Sequence, residues 1–313
     1  MAVKAEDILA NRFELLKNKK DYKEAPCMKN QNEKIEVFKG LNRNIMPIKS
    51  RPLDFSVEEI LYKGYTVIQN HITDKECEKL RAEIDALDIE DRKKWGSNTL
   101  KRMNDLGVLR NPFLRSELIA KTCFNRNAIE ICKKIFKNQF IVHVNRAVIN
   151  EPKISHSASV WHREPPYQNF ITQEPLALSY ILCIDASNIE TGGVSILAGS
   201  HKWEKVPSDL YIKRNSVNLN IDSGGLLIIN SALLHTSTLN KSKKRRSLVT
   251  IFTSPLIKQQ TIIAKIISNN KNYQKNLSKI PDYKFLFGIE TDPFLSDDDY
   301  RKNRLLLSKL DYS

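Results

Sequence analysis

The chain has 313 residues, of which 41% are hydrophobic and 27% are charged. This composition is typical of a globular protein with a packed core, and it excludes the disordered and low-complexity classes. Apolar runs such as those at 177–184 and 226–230 are far shorter than the roughly 18 residues that a membrane span requires. The first twenty residues also lack the apolar region of a signal peptide. We therefore expect a cytoplasmic protein without a membrane partner.

The cysteine pattern and the positive charge argue against two further classes of protein. Five cysteines without a CxxC pair indicate neither a disulfide framework nor a structural zinc site. The net charge is +14, but outside KSKKRR at 241–246 the bases are dispersed among acids, whereas a nucleic-acid interface clusters its bases on one face. We expect no specific nucleic-acid partner, and we interpret the charge as favouring an anionic small molecule.

The N-terminal part is predicted to be an arm followed by helices. Residues 1–53 mix Lys, Asn and Glu with weak helical periodicity, and we interpret them as an N-terminal arm. Ser56 precedes Glu59 at the spacing of a capping box, and Gly64 is expected beyond the end of that helix. The expected elements are a helix over 55–61, a strand over 65–70, and helices over 71–87 and 118–136.

From residue 139 onward, short apolar runs alternate with turn residues, which is typical of a β-sandwich or barrel. After residue 257 the chain becomes Lys- and Asn-rich again, and a capped terminal helix is predicted over 294–310. We therefore interpret residues 54–256 as one domain with buttressing N-terminal helices. Residues 257–313 are expected to form a helical extension packed on that domain.

Two of the six histidines lie where apolar runs end, His162 in VWHREPP and His235 in LLHTST. Side chains alternate along a strand, so His162 and Glu164 point to the same side while Arg163 points away. An isolated histidine is more often structural than a metal ligand, but a neighbouring carboxylate favours a metal site. With His235 these residues make a set of two histidines and one carboxylate, which suits non-haem Fe(II) and leaves coordination positions open.

Arg246 opens the next apolar run, eleven residues after His235. A guanidinium that enters a barrel is an unpaired buried charge unless an anionic ligand meets it. We therefore expect Arg246 to hold the distal carboxylate of 2-oxoglutarate. Because alternation sends Arg245 to the opposite face, Arg245 is expected to be a solvated turn residue.

Taken in order, these segments resemble the phytanoyl-CoA dioxygenase-like (PhyH) family of Fe(II)/2-oxoglutarate-dependent oxygenases. The resemblance covers roughly residues 54–256. It is carried by WHRE at 161–164, by the stretch at 177–203 that ends in AGSHKW, and by the spacing between His235 and Arg246. The family more often has Asp than Glu at position 164 and Pro than Ala at position 198.

The resemblance implies a mainly β fold with flanking helices around a double-stranded β-helix, or jelly roll. It also implies an enzyme with Fe(II) and 2-oxoglutarate as cofactors, which uses O2 to hydroxylate a small-molecule or carrier-bound metabolite and releases succinate and CO2. His162, Glu164 and His235 match the iron ligands and Arg246 the 2-oxoglutarate clamp. Further positions that match the cosubstrate site are Ser237, Tyr180 and Asn145. His201 is expected to be structural.

Three alternatives remain open from the sequence. A cupin-type metal enzyme would not use 2-oxoglutarate and would form no succinate. A non-catalytic descendant would keep the barrel and lose iron because of Glu164. A nucleic-acid oxygenase would explain the charge, and its binding would weaken steeply as salt rises. The loops at 95–114, together with Lys101, Arg146 and Arg163, are expected to include substrate contacts.

Overall fold

A computed structural model describes residues 52–154, 159–164, 170–290 and 296–310. The predicted N-terminal arm lies outside the described residues, apart from its last two positions. Within the described ranges, no helix is long and apolar enough to cross a membrane. The described cysteines are all free thiols, and three of the four are buried.

The strands of the described chain form two antiparallel sheets. The larger sheet has the strand order β1-β7-β4-β9-β3-β2 and the smaller sheet the order β6-β5-β8. The strands are Tyr65–Ile68 (β1), Val108–Arg110 (β2), Ile141–Asn150 (β3), Ala177–Cys183 (β4), Val194–Ile196 (β5), Val217–Asn218 (β6), Leu226–Asn230 (β7), His235–Ser237 (β8) and Arg245–Thr253 (β9).

Helices cover one face of the larger sheet. The main core lies between these helices and the larger sheet. It includes Leu178 and Phe252 from the sheet and Ile84 and Ile131 from the helices, all fully or almost fully buried. The described helices are Pro52–Tyr62, Asp74–Trp95, Ser97–Arg102, Glu117–Cys123, Arg126–Ile135, Asp209–Asn215, Ile263–Ser268, Lys271–Leu277, Tyr283–Leu286 and Asp297–Leu310.

The local sequence signals place most N-terminal elements correctly. The first helix begins at Pro52, so Ser56 lies inside it and does not cap its start as predicted. The helix ends at Tyr62, and Gly64 follows with φ of 90°, a conformation that glycine adopts at little cost. Thr73 caps the next helix in a complete capping box, but this helix continues to Trp95 instead of ending near residue 87. The single helix expected over 118–136 is two helices, because the Asn125 side chain caps a new helix at Arg126.

The structure meets the predicted fold class only in part. It has the expected antiparallel sheets, but it is a mixed α/β arrangement and not a mainly β one. The helices before β3 and after β9 cover one face of the larger sheet, so its opposite face is left to form the wall of a cavity.

Candidate functional site

A cavity of about 920 Å³ lies on the face of the larger sheet that the helices leave free. Strands β3, β4 and β9 supply one wall, and β5, β8 and the segment 160–164 supply the other. A volume of this size is ordinary for small-molecule sites, which lie between roughly 300 and 1,000 Å³. His162, Glu164, His235 and Ser237 all line it.

His162 and His235 are fixed against each other through their backbones. Each backbone N–H donates to the carbonyl of the other residue, at 3.0 and 3.1 Å, and the two ring centroids are 4.3 Å apart. Nδ1 of His162 lies 2.7 Å from the Val160 carbonyl, and Nδ1 of His235 lies 2.9 Å from the Leu233 carbonyl. A carbonyl only accepts hydrogen bonds, so each Nδ1 carries the proton and each Nε2 keeps a lone pair for a metal.

Burial keeps His235 neutral. Its ring is removed from water, and desolvation together with the nearby His162 lowers the pKa of His235 to about 4. A neutral imidazole is the form that binds a metal ion. At neutral pH the ring is therefore ready to act as a ligand without releasing a proton.

Glu164 lies on the same side of the chain as His162, as strand alternation predicts. Its Oε1 is 3.8 Å from His162 Nε2 and 3.2 Å from Nη2 of Arg146. Arg163 points the other way, and its guanidinium donates to three backbone carbonyls, those of Ala232, Ser200 and Trp203. Arg163 is thus a structural residue and not the substrate contact that the sequence suggested.

The donor set of two imidazole nitrogens and a carboxylate fits Fe(II) by its chemistry. Among the described residues, no three His, Cys, Asp or Glu side chains lie close enough together, in their observed conformations, to hold a metal ion. Glu164 Oε1 is closer to Arg146 Nη2, at 3.2 Å, than to His162 Nε2, at 3.8 Å. His162, Glu164 and His235 nevertheless line the same cavity, and their donor atoms are of the types that Fe(II) binds.

Arg245, expected to be a solvated turn residue, is buried and lines the cavity. Its Nε donates to the Thr191 carbonyl at 3.0 Å and its Nη2 to the Gly192 carbonyl at 2.8 Å. Burial lowers the pKa of the guanidinium, although arginine remains charged at neutral pH. These bonds hold the side chain through neutral acceptors, while Asp185, beyond ion-pair distance, acts electrostatically on its charge.

Arg246 lies on the opposite face of β9 and does not line the cavity. Asp85 receives two of its N–H groups, at 2.9 and 2.7 Å, and Asp185 receives a third at 2.9 Å. These carboxylates raise the pKa of Arg246. The expected position of Arg246 in the cavity is therefore wrong by one residue, because Arg245, Ser247 and the alternate residues after them face the cavity.

Tyr180 and Asn145 also face the helices instead of the cavity. The Tyr180 hydroxyl donates to the Ala128 carbonyl at 3.1 Å, and its ring packs edge-on against Phe252. The Asn145 amide donates to the Thr250 hydroxyl at 2.8 Å. The structure therefore brings neither residue to the expected cosubstrate site, and among the three additional cosubstrate positions it brings only Ser237 there.

The basic run 241–246 is largely engaged with acids of its own chain. Lys241 lies 3.9 Å from Glu190, and Lys244 lies 3.6 Å from Glu151. Two arginines end the run. Arg245 is buried in the cavity wall, and Arg246 is paired with Asp85 and Asp185. That the chain has no specific nucleic-acid partner stays a prediction.

The profile of the family described as phytanoyl-CoA dioxygenase (PhyH) matches residues 61–248, which include His162, Glu164, His235 and Arg245. The dioxygenase olcK of Penicillium canescens is 24% identical over 220 residues, covering 65% of this chain and 71% of that protein. The iron/alpha-ketoglutarate-dependent dioxygenase ausU of Aspergillus calidoustus is 25% identical over 146 residues, covering 42% of this chain and 46% of that protein.

Among solved structures, the epimerase SnoN in complex with Fe3+, alpha ketoglutarate and nogalamycin RO superposes with a TM-score of 0.51 at 14% identity. The match covers 65% of this chain and 84% of that chain, and at this identity it shows the fold alone. The family profile covers more than half of the sequence, so the chain belongs to the phytanoyl-CoA dioxygenase (PhyH) family. It is an iron- and 2-oxoglutarate-dependent dioxygenase, and Fe(II) and 2-oxoglutarate are its cofactors.

Proposed function

We propose that this enzyme hydroxylates a small-molecule substrate in the 920 Å³ cavity, with His162, Glu164 and His235 holding Fe(II) and Arg245 holding 2-oxoglutarate. One observation supports the proposal most directly. The cavity joins a donor set suited to Fe(II) with a buried guanidinium that is hydrogen-bonded to the neutral carbonyls of Thr191 and Gly192. The two facing sheets are then the two halves of a double-stranded β-helix, with the iron site between them.

The protein contributes the ligands and their orientation. The Val160 and Leu233 carbonyls hold the two imidazoles with Nε2 toward the cavity, and Glu164 supplies the negative charge that a divalent cation requires. When bound, Fe(II) with 2-oxoglutarate and O2 supplies the oxidising chemistry that hydroxylates a C–H bond and releases succinate and CO2. Much of the cavity lining is aliphatic, which lowers the local dielectric constant and strengthens the electrostatic interactions inside.

Arg245 and Ser237 are proposed to bind the distal carboxylate of 2-oxoglutarate. The guanidinium is buried and held by two carbonyls, so it is oriented before the ligand arrives. A planar guanidinium presents two parallel N–H donors to a carboxylate, and the Ser237 hydroxyl can add a third. A cupin-type enzyme without 2-oxoglutarate would have no use for this buried charge, which favours the oxygenase over that alternative.

Succinate formation tests the proposal. We expect the wild-type protein to convert 2-oxoglutarate to succinate only when Fe(II) and O2 are supplied, and we expect His162→Ala and His235→Ala to abolish this conversion. His71→Gln is the matched control, since His71 lies outside the cavity and bonds to Asn125. Full succinate formation by His235→Ala would contradict the assignment of the ligands.

A further inference from the structure

His143 is the extra residue of a β-bulge in β3. Val142 pairs with Phe252 of β9, and Val144 pairs with the adjacent Ile251. His143, between them, therefore has no partner residue on β9. Beyond the bulge, Val144, Arg146 and Val148 face the cavity, and regular alternation would send His143 to the helices. The bulge instead turns His143 into the cavity wall. Bulges beside active sites commonly re-aim one side chain in this way.

The imidazole of His143 is buried and incompletely satisfied. Only 4% of the residue is exposed, and its Nδ1 is buried without a hydrogen-bond partner. Burial, with a smaller contribution from the positive charge of Arg146, lowers the pKa of His143, so the ring is neutral at pH 7. A buried polar atom without a partner is unfavourable, and such atoms are rare unless a ligand or water completes them. A neutral imidazole offers one donor and one acceptor to such a ligand.

His143 lies at the end of the cavity away from the proposed 2-oxoglutarate clamp. On β9, Arg245 pairs with Asn150 of β3, whereas Ile251 pairs with Val144 beside the bulge. Six residues separate Arg245 from Ile251, which is roughly 20 Å along a strand. Glu164 contacts Arg146, which lies on β3 between Val144 and Asn150 and therefore between the two ends of the cavity. The cavity thus has room for 2-oxoglutarate on one side of the iron ligands and for a second molecule on the His143 side.

The walls around His143 are partly aliphatic. Val144, Ile251, Leu256 and Ile257 line this end of the cavity together with the polar residues Lys258, Gln259 and Gln260, and no Phe, Tyr or Trp of the described residues lines any part of it. The segment 256–260 is anchored by Gln259, whose side-chain amide donates to the Val142 carbonyl at 2.7 Å. Aliphatic walls favour an aliphatic ligand, since planar rings are usually bound by aromatic side chains.

We infer that His143 is a specificity-determining residue that binds a hydroxyl or keto oxygen of an aliphatic primary substrate. This hydrogen bond fixes the substrate along β3 and thereby selects the carbon that faces the iron ligands. His143 and Arg146 are three residues apart, roughly 10 Å along the strand, so the recognised oxygen and the reacting carbon are separated by several bonds. The inference rests on the proposed function, because it assigns the remaining half of the same cavity.

Histidine nuclear magnetic resonance tests the inference without turnover. The protein has six histidines, so a sample labelled with 15N at histidine gives few imidazole signals, which single substitutions assign. The protein is loaded with Zn(II), as a redox-inert ion, and with 2-oxoglutarate, and it is titrated with 2-octanone. We expect the His143 signals to shift, and we expect the dissociation constant to rise about tenfold in His143→Leu, the effect of one lost hydrogen bond.

Two further variants and one further probe complete the test. His143→Gln keeps a donor and an acceptor and should bind 2-octanone within about threefold of wild type, while His71→Gln should bind it unchanged. Unchanged affinity in His143→Leu, or shifts confined to other histidines, would overturn the inference. Binding of octanoate tenfold tighter than 2-octanone would also overturn it, in favour of anion recognition by Arg146 and Lys258. The affinity for 2-oxoglutarate, measured on the same samples, reports separately on the proposed function.

Discussion

Arg245 and Arg246 are adjacent in sequence but lie on opposite faces of β9, so replacing each by alanine separates two functions. Arg245 is 3% exposed and lines the cavity, where its charge has only carbonyl partners among the described residues. Arg246 is held by Asp85 and Asp185 outside the cavity. We expect Arg245→Ala to lose 2-oxoglutarate affinity and Arg246→Ala to lose stability instead.

The magnitudes follow from these contacts. Truncating one partner of a buried, hydrogen-bonded charge pair costs about 2–5 kcal/mol, which corresponds to a rise of roughly 30-fold to several thousand-fold in the dissociation constant for 2-oxoglutarate. Arg246→Ala leaves two partly exposed carboxylates without their cation. We expect it to lower the free energy of unfolding by about 2 kcal/mol, less than for a fully buried pair, and the melting temperature by roughly 4–8 °C.

Calorimetric titration of 2-oxoglutarate into the Mn(II)-loaded protein measures the first effect, and thermal unfolding measures the second. Arg245→Lys keeps the charge but loses the planar fork, so it should recover part of the affinity. Unfolding curves for each variant show whether weak binding reflects a damaged fold. If Arg246→Ala weakened 2-oxoglutarate binding at least tenfold while Arg245→Ala bound it normally, the strand register and the proposed clamp would both be refuted.

Three further variants or conditions have defined outcomes. Glu164→Asp shortens the side chain by one methylene and moves its carboxylate away from the two histidines, so Fe(II) affinity measured anaerobically should fall about 10- to 100-fold without being lost; unchanged affinity would show that the length of this side chain does not position the ligand. Tyr180→Phe should lower the free energy of unfolding by about 1 kcal/mol, through the lost bond to the Ala128 carbonyl, and leave 2-oxoglutarate affinity unchanged; tenfold weaker binding would return Tyr180 to the cosubstrate site. The metal-free protein should unfold at lower temperature at pH 5.5 than at pH 7.5, because the unfolded chain takes up protons near the ordinary histidine pKa of 6.5 while the folded chain does not; an equal or higher melting temperature at pH 5.5 would contradict this sign. The histidines whose folded-state pKa is lowered are His71, which is half-buried, and the buried His143, His201 and His235.

The sequence predicted which proposed metal ligands would share the cavity better than which proposed cosubstrate residues would, for a physical reason. His162 and Glu164 are two residues apart on one extended segment, so their common side follows from alternation alone. Placing Tyr180, Asn145 and Arg246 additionally requires knowing which face of each strand lines the cavity. In β4 nearly every residue is buried on both faces, so polar and apolar residues do not distinguish the faces. The spacing between His235 and Arg246, which matches the family, therefore predicted that Arg246 faces the cavity, whereas Arg245 does.

His143 shows a second limit of sequence reasoning. Its exposure to the cavity depends on a bulge between Val142 and Val144, and the run QFIVHVNRAVIN contains no glycine or proline that would signal an irregularity. The N-terminal helices were easier to place, because apolar residues at helical spacing depend only on neighbouring residues. Even there, the predicted capping box at Ser56 and Glu59 lies inside a helix that begins at Pro52, whereas the complete capping box is at Thr73 and Glu76. Register and face depended instead on pairing between distant strands.

Metal stoichiometry tests the central claim most directly. The claim is that one Fe(II) binds through His162, Glu164 and His235 in the cavity that Arg245 also lines. Anaerobic equilibrium dialysis against Fe(II) and 2-oxoglutarate should give one tightly bound iron per chain for the wild-type protein and for His71→Gln. His235→Ala should lose this iron while still unfolding cooperatively. Full retention of iron by a folded His235→Ala variant, at wild-type affinity, would contradict the account.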